Sequence, residues 1–130
     1  MRVTNPDGLH DPVPFGYSHV VSARATEVVF IAGQYASGPD GHVVSDDFAE
    51  QVAKSLDNLR IALAAEGLGF GDVVRIGSHI VDHDETKLAI WAKAVHEVWG
   101  DEPPAQTLVG VAALALPDMK FEVDAIAVRS

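Results

Sequence analysis

The sequence has no cysteine and few basic side chains, and each shortage removes a class of function. Without cysteine the chain forms no disulfide and offers no thiolate as a nucleophile or metal ligand. The sequence has nine lysines and arginines and nineteen acidic residues, which gives a formal net charge of −10. Because phosphate backbones are held chiefly by clustered lysine and arginine, nucleic acid is not expected as a partner. The acidic excess is interpreted as a solubilising surface.

Long apolar runs are also missing. No stretch approaches the ~18 consecutive apolar residues that a membrane span requires, so no membrane is expected as a partner. The opening MRVTNPDGLHDPVP lacks the apolar core of a secretory signal, which predicts a cytoplasmic location. A chain of 130 residues without a linker or repeat is expected to form a single domain, residues 1–130.

The spacing of apolar residues predicts the elements of the fold. Residues 19–25 and 28–34 have strand character and a short connection, which predicts a hairpin. Ser45 is the predicted N-cap of the helix that follows, and Gly67 its end. That helix has one apolar stripe, at Phe48, Val52, Leu56, Leu59 and Leu63. Further elements are predicted as a strand over residues 72–82, a helix over 84–100 and strands over about 106–114 and 120–128.

This β-β-α-β-α-β-β order predicts an α+β fold of two layers, with both helices on one face of the sheet. In FEVDAIAV the side chains alternate, so Phe121 and Val123 share one face while Glu122 and Asp124 share the other. The run VVFIA, residues 28–32, is apolar on both faces. Because a large exposed apolar face promotes aggregation, the second face is predicted to be buried in an oligomer. The alternative is a monomer with several apolar residues on its surface.

Glu122 is the clearest candidate for chemistry. A carboxylate at the centre of an aliphatic strand is expected to be partly removed from water, which strengthens it as a base near neutral pH. The alternative is an ion pair or a solvated face, because Asp124 lies two residues further on. The residues themselves leave both readings open.

Six histidines raise the question of a metal site. His79 and His83, beside two aspartates, form the only cluster with suitable spacing, but it straddles a strand end, so the imidazoles need not converge. The sequence contains no HExxH, no P-loop and no GxGxxG. Neither a metal nor a cofactor is therefore expected. Trp91 and Trp99 stand at helical spacing and are interpreted as core residues rather than a stacking platform.

Several stretches, taken in order along the chain, resemble the Rid family, also called YjgF/YER057c/UK114. They are GYSHVV at 16–21, VVFIAGQ at 28–34, QVAKSLDNLRIALAAEGLGFGDVVRI at 51–76, PPAQT at 103–107 and FEVDAIAV at 121–128. The resemblance covers nearly the whole chain. It implies a chorismate-mutase-like (YjgF-like) α+β subunit that assembles as a homotrimer, with three sites in the clefts between subunits.

The best-known members of that family are enamine and imine deaminases, which hydrolyse reactive 2-iminoacids without a metal or cofactor. The resemblance implies that Glu122 and the backbone carbonyl near Leu108 orient the attacking water. It also implies that Tyr17 and the Gly33 backbone shape and bind the substrate. Gln34 matches the family pattern as well.

Two positions depart from the family pattern. Ala32 replaces a serine, and Gln106 replaces the arginine whose guanidinium holds the substrate carboxylate. An amide supplies no charge, so Gln106 favours a neutral carbonyl, amide or hydroxyl over a carboxylate. The asparagine usual on the second helix has no clear counterpart, since Trp91 lies in that region. Arg75 would supply a compensating charge if its strand faced the cleft.

The sequence therefore predicts a hydrolase or deaminase that acts on a small imine or enamine-type metabolite. A non-catalytic trimer that binds a small ligand is the alternative, because Glu122 favours an enzyme whereas Ala32 and Gln106 favour a sensor. The endoribonuclease or translation-inhibitor activity attributed to some relatives is disfavoured by the acidic charge. If Gln106 stands in place of the arginine, Gln106→Arg is expected to raise kcat/KM for 2-iminopropionate about thirtyfold.

Overall fold

The computed structural model describes residues 1–130 as a four-stranded sheet, a small ribbon and two helices. The ribbon pairs β1 with β2, and the sheet has the order β3-β6-β4-β5. In chain order the elements are β1 Arg2–Thr4, a 3-10 turn Val13–Phe15, β2 Val20–Ser22, β3 Glu27–Gln34, α1 Phe48–Ala65, a 3-10 turn Phe70–Asp72, β4 Val73–Val81, α2 Glu85–Trp99, β5 Ala105–Val111 and β6 Phe121–Arg129. Strands β4 and β5 are parallel and joined through α2, whereas β6 is antiparallel to both of its neighbours.

The predicted N-terminal hairpin is wrong. β2 pairs with β1 in the register Arg2↔Ser22, while β3 pairs with β6 at the far end of the chain. The connection before β3 contains no glycine or asparagine that would accept the positive φ of a tight hairpin turn. Instead, the Thr26 backbone N–H donates to the Arg129 carbonyl at 2.8 Å, which starts the pairing with β6.

Helix α1 matches its predicted stripe, and all five of those apolar residues are buried. Its N-cap is Asp47 rather than the predicted Ser45, because the Asp47 carboxylate accepts from the Glu50 N–H at 3.0 Å. Ser45 lies two residues earlier, where its hydroxyl accepts from the Asp47 N–H at 3.1 Å. After the helix, Gly67 adopts a φ of +69°, in agreement with its predicted role as the stop. Neither helix is long and apolar enough to cross a membrane.

Both helices cover the same face of the sheet. On that face the side chains of β4 and β6 are buried, among them Ile76, Ile80, Phe121 and Val123. The other face has no cover within the chain, as the alternation in β6 predicts. On β3, Phe30 is 76% exposed and Val28 is 50% exposed. The sheet therefore presents an apolar face to whatever lies beyond a single chain.

Candidate functional site

A cavity of about 680 Å³ opens between the N-terminal segment, the start of α2 and the edge strand β5. Three of the residues proposed from the sequence to bind substrate lie in its wall: Tyr17, Gln106 and Leu108. The remaining wall is formed by His10, Phe15, His83, Leu88 and Thr107. The wall contains rings, aliphatic chains, two hydroxyls and an amide, but no lysine or arginine.

The N-terminal segment is held against the sheet by its own turn and by β5. The 3-10 turn Val13–Phe15 ends at Gly16, whose φ of +88° is in the left-handed region. A Cβ at this glycine would come within 3.1 Å of the Ala92 backbone, so the close contact with α2 also requires glycine. Next along the chain, the Ser18 hydroxyl donates to the Pro103 carbonyl at 2.5 Å. These contacts leave Tyr17 between the two elements, half-buried in the cavity wall.

Gln106 lies at the centre of a hydrogen-bond network on the helix side of the sheet. Its Oε1 accepts from the Ser78 hydroxyl at 2.6 Å and from the Trp91 indole N–H at 2.5 Å. Its Nε2 donates to the Gly16 carbonyl at 2.7 Å. One amide hydrogen is left for a ligand, because an amide nitrogen carries two. Most of the hydrogen-bonding capacity of Gln106 is therefore used within the chain.

Trp91 explains why an amide suits position 106. The indole is fully buried and its ring centroid lies 4.7 Å from that of Phe121, in agreement with its interpretation as a core residue. It also brings an N–H donor to Gln106, which lines the cavity. An amide oxygen accepts from this donor, whereas a guanidinium has only donors and would leave the indole unpaired. The residues at positions 91 and 106 are therefore physically linked through this hydrogen bond.

The other proposed residues lie on the opposite, uncovered face of the sheet. Glu122 alternates with the buried Phe121 and Val123 and is half-buried. Its carboxylate lies over Gly33 of β3, where an added Cβ would be 2.7 Å from the Glu122 carboxylate. Ala32 adjoins this glycine, where the register of β3 with β6 shifts. A single chain therefore separates these residues from the cavity on the helix side.

Arg75 also lies on the uncovered face. Its guanidinium is 3.9 Å from the Asp124 carboxylate, and His79 Nδ1 is 4.0 Å from the other oxygen of the same carboxylate. Arg75 is therefore directed away from the cavity that contains Gln106. His83, by contrast, lines that cavity, so the two histidines of the predicted cluster lie on different sides of the sheet.

His10 is not among the site residues predicted from the sequence, and its Nε2 lies 2.6 Å from the Tyr17 phenol oxygen. The contact depends on the path of the loop between these residues. The two prolines within that loop, Pro12 and Pro14, restrict the chain and were the available signal that it turns back.

Fold and cavity together define a small α+β subunit of the YjgF-like type, with a ligand-sized cavity beside the edge of its sheet. The family described as endoribonuclease L-PSP matches residues 10–129. The chain therefore belongs to this family, the Rid (YjgF/YER057c/UK114) family that the sequence motifs indicated.

Three similar proteins illustrate the range of the family. The crystal structure of YyfB from Yersinia pestis, a Rid protein of unknown function, has a TM-score of 0.92 and 36% identity, covering 98% of this chain and 97% of that one. The protein DfrA of Myxococcus xanthus is 37% identical over 117 residues, which are 86% of this chain and 84% of DfrA. A 2-iminobutanoate/2-iminopropanoate deaminase of Salmonella typhimurium is 32% identical over 106 residues, 78% of this chain and 80% of that protein.

Proposed function

We propose that this protein hydrolyses a small, uncharged imine or enamine at clefts between the subunits of a homotrimer. The observation that carries the proposal is the wall of the cavity, which brings Tyr17 and Gln106 together without any lysine or arginine. The similar protein named as an iminoacid deaminase supports the reaction class. The cavity wall supports a neutral substrate for this protein in place of the iminoacid, which carries a carboxylate.

Assembly is required because the proposed residues lie on two faces of one sheet. Burial of the apolar face carrying Phe30 against a second copy removes that surface from water. The same contact brings Glu122 and Gly33 of one copy beside Tyr17 and Gln106 of the next. Each cleft then contains one group of residues from each of two subunits.

In the proposed reaction, water adds to the C=N carbon and the nitrogen leaves as ammonia. Glu122 takes a proton from the water, while the Leu108 backbone carbonyl accepts a second hydrogen bond and fixes its direction. Tyr17 binds the nitrogen end. The remaining Nε2 hydrogen of Gln106 binds a neutral oxygen of the substrate. The products are a carbonyl compound and ammonia, and no redox step occurs.

A carboxylate would find no lysine or arginine to bind in this cavity, and the Nε2 of His10 is directed to the Tyr17 phenol. Arg75 lies on the other face beside Asp124. Loss of one partner of a buried charged pair typically costs about 2–5 kcal/mol. With a net charge of −10, the protein also gives an anion no electrostatic attraction at long range.

The proposal is tested with a matched pair of substrates, 2-iminopropionate and its uncharged amide, each released in situ. We expect kcat/KM for the amide to exceed that for the acid by at least about tenfold. Release of ammonia is measured, and Glu122→Gln serves as the blank because its amide cannot take a proton. Faster hydrolysis of the acid would contradict the proposed substrate class.

The non-catalytic alternative is favoured by Ala32 and by the internal hydrogen bonds of Gln106. It predicts that uncharged carbonyl compounds bind to the trimer without turnover and that Glu122→Gln leaves binding unchanged. Calorimetric titration of both variants distinguishes it from the enzyme. The family description names an endoribonuclease, so a labelled single-stranded RNA belongs in the same assay panel.

A further inference from the structure

His10 and Tyr17 form the closest contact between two titratable side chains in the cavity wall. His10 Nε2 lies 2.6 Å from the Tyr17 phenol oxygen, which is short for a hydrogen bond between nitrogen and oxygen. We propose that His10 is the proton partner of Tyr17: it orients the phenol at the cavity and supplies the proton that Tyr17 passes to the substrate nitrogen. The inference rests on the proposed function, because it concerns the same cavity.

His10 is at the surface but is held on several sides. Its backbone carbonyl accepts from His19 Nε2 at 2.9 Å. Its ring meets those of His19 and Phe15 edge-on, with centroids 4.9 Å and 5.9 Å away. The ring of Tyr17 meets that of His19 in the same way at 5.3 Å. This four-ring cluster keeps the imidazole and the phenol in one arrangement, which proton transfer requires.

The hydrogen bonds specify different tautomers for the two histidines. A carbonyl oxygen only accepts, so His19 carries its proton on Nε2. In the His10–Tyr17 pair, the phenol donates its one hydrogen to Nε2 when His10 is neutral. Neutral His10 therefore carries its proton on Nδ1. No hydrogen of the phenol is then left for a ligand.

Protonation of His10 reverses this hydrogen bond. Nε2–H then donates to the Tyr17 oxygen, and the phenol hydrogen turns to the substrate nitrogen. Transfer of both protons along this line gives the nitrogen one proton, returns His10 to the neutral state and leaves Tyr17 a neutral phenol. Because Glu122 takes a proton from the attacking water, the product of this step is the neutral carbinolamine. The nitrogen needs a second proton to leave as ammonia, and protonated Glu122 returns its proton there. The hydroxyl proton released as the C=O bond forms restores protonated His10 through solvent, so atoms and charge balance.

Other titratable groups surround His10 and belong in any account of its pH dependence. His19 and Tyr17 contact the ring directly, and His83 stands across the cavity at the start of α2. The neighbouring Asp11 carboxylate accepts from the Val13 N–H at 3.1 Å and so remains beside the loop. Among these residues, only His10 has a ring nitrogen hydrogen-bonded to the Tyr17 oxygen.

The pairing is tested without any substrate by long-range ¹H–¹⁵N NMR of the histidine rings. We expect the His10 signals of the Nδ1–H tautomer and the His19 signals of the Nε2–H tautomer in the intact protein. Tyr17→Phe removes the donor, so the His10 Nε2 resonance is expected to move while that of His96 stays. The pairing would be overturned if His10 gave the signals of the opposite tautomer, or if its Nε2 chemical shift were the same in Tyr17→Phe as in the parent.

The proton transfer is tested by steady-state kinetics of His10→Gln on the uncharged imine. The amide keeps a hydrogen bond to Tyr17 but cannot carry the proton, so kcat is expected to fall at least about tenfold with KM nearly unchanged. The limb of the pH–kcat profile that reports His10 should disappear as well. His96→Gln is the matched control, because His96 is exposed on α2 and absent from the cavity wall.

Two results would contradict the transfer. An unchanged kcat and pH profile in His10→Gln would mean that His10 only fills space beside Tyr17. If no imine is hydrolysed by the parent, the proposed function fails and the transfer fails with it. The NMR measurement then decides the pairing by itself, so the two failures are distinguishable.

Discussion

At the residue scale, Gln106 connects the cavity to the interior. Its oxygen accepts from Ser78 and Trp91, and its nitrogen donates to Gly16. The family motif predicts a side chain at this position that is free to contact a ligand, so that arginine would restore the binding of a carboxylate. The oxygen is the acceptor for two buried donors. A substitution at this position therefore disrupts hydrogen bonds in the protein interior, in addition to any effect on which ligand is bound.

Gln106→Arg is therefore expected to lower the free energy of unfolding by about 2–4 kcal/mol, since two donors lose their acceptor and a charge is added beside them. The thirtyfold gain on 2-iminopropionate is not expected from this change alone. Unfolding in urea measures the cost. Gln34→Arg is the control, because the Gln34 amide donates only to the Ala32 carbonyl. A stable Gln106→Arg protein with faster iminoacid hydrolysis would contradict this account.

Some residues of the candidate site could be predicted from the sequence and others could not. Tyr17, Gln106 and Leu108 were named from family motifs and lie in one cavity. The hydrogen bonds of Gln106 could not be predicted, because their partners lie on other elements. The contact of His10 depends on the path of an irregular loop, and no periodicity describes such a path.

At the element scale, β3 and β6 approach closely where Gly33 lies beneath the Glu122 carboxylate. Gly33→Ala places a methyl group within 2.7 Å of that carboxylate, so the flexible end of Glu122 must move. We expect kcat to fall about ten- to a hundredfold, because small misplacements of a catalytic group are costly. The free energy of unfolding is expected to change by less than about 1 kcal/mol.

Gly71→Ala is the matched control for this change, because nothing lies within 4 Å of a Cβ built at Gly71. Steady-state kinetics and urea unfolding of both variants separate the local displacement from a general effect of alanine. Parental turnover in Gly33→Ala would mean that the reaction does not depend on where the Glu122 carboxylate lies.

Local patterns predicted the elements better than their pairing. The stripe of α1 and the alternation of β6 each depend on spacing within one segment. The structure confirms the stripe, and it confirms the alternation as far as Ala127, after which Val128 is also buried. The partner of β3 is β6, which lies about a hundred residues further along the chain, so the local sequence around β3 does not predict this pairing. β1 has only three residues, too few to give a period.

On the scale of the whole molecule, the uncovered sheet face predicts assembly. Light scattering after size exclusion is expected to give the mass of three copies at micromolar concentration. Phe30→Glu should shift this mass toward one copy, because Phe30 is 76% exposed in the single chain and a charge there opposes burial. Its circular dichroism should match that of the parent.

Ile61→Glu is the control for assembly, because Ile61 is also an exposed apolar residue, at 52%, but lies on α1. Its mass should equal that of the parent. A parent that is monomeric at micromolar concentration would remove the intersubunit cleft and leave Glu122 separated from the cavity.

The two tryptophans donate to different acceptors, and this difference gives the protein an internal reporter. The Trp91 indole N–H donates to Gln106 in the cavity wall, whereas the Trp99 indole N–H donates to the Phe70 carbonyl at 2.8 Å. A compound that enters the cavity and engages the Gln106 amide must alter the shielding of one indole proton and spare the other. Occupancy can therefore be followed by two resolved resonances of the unmodified chain, with the second serving as the reference for the first.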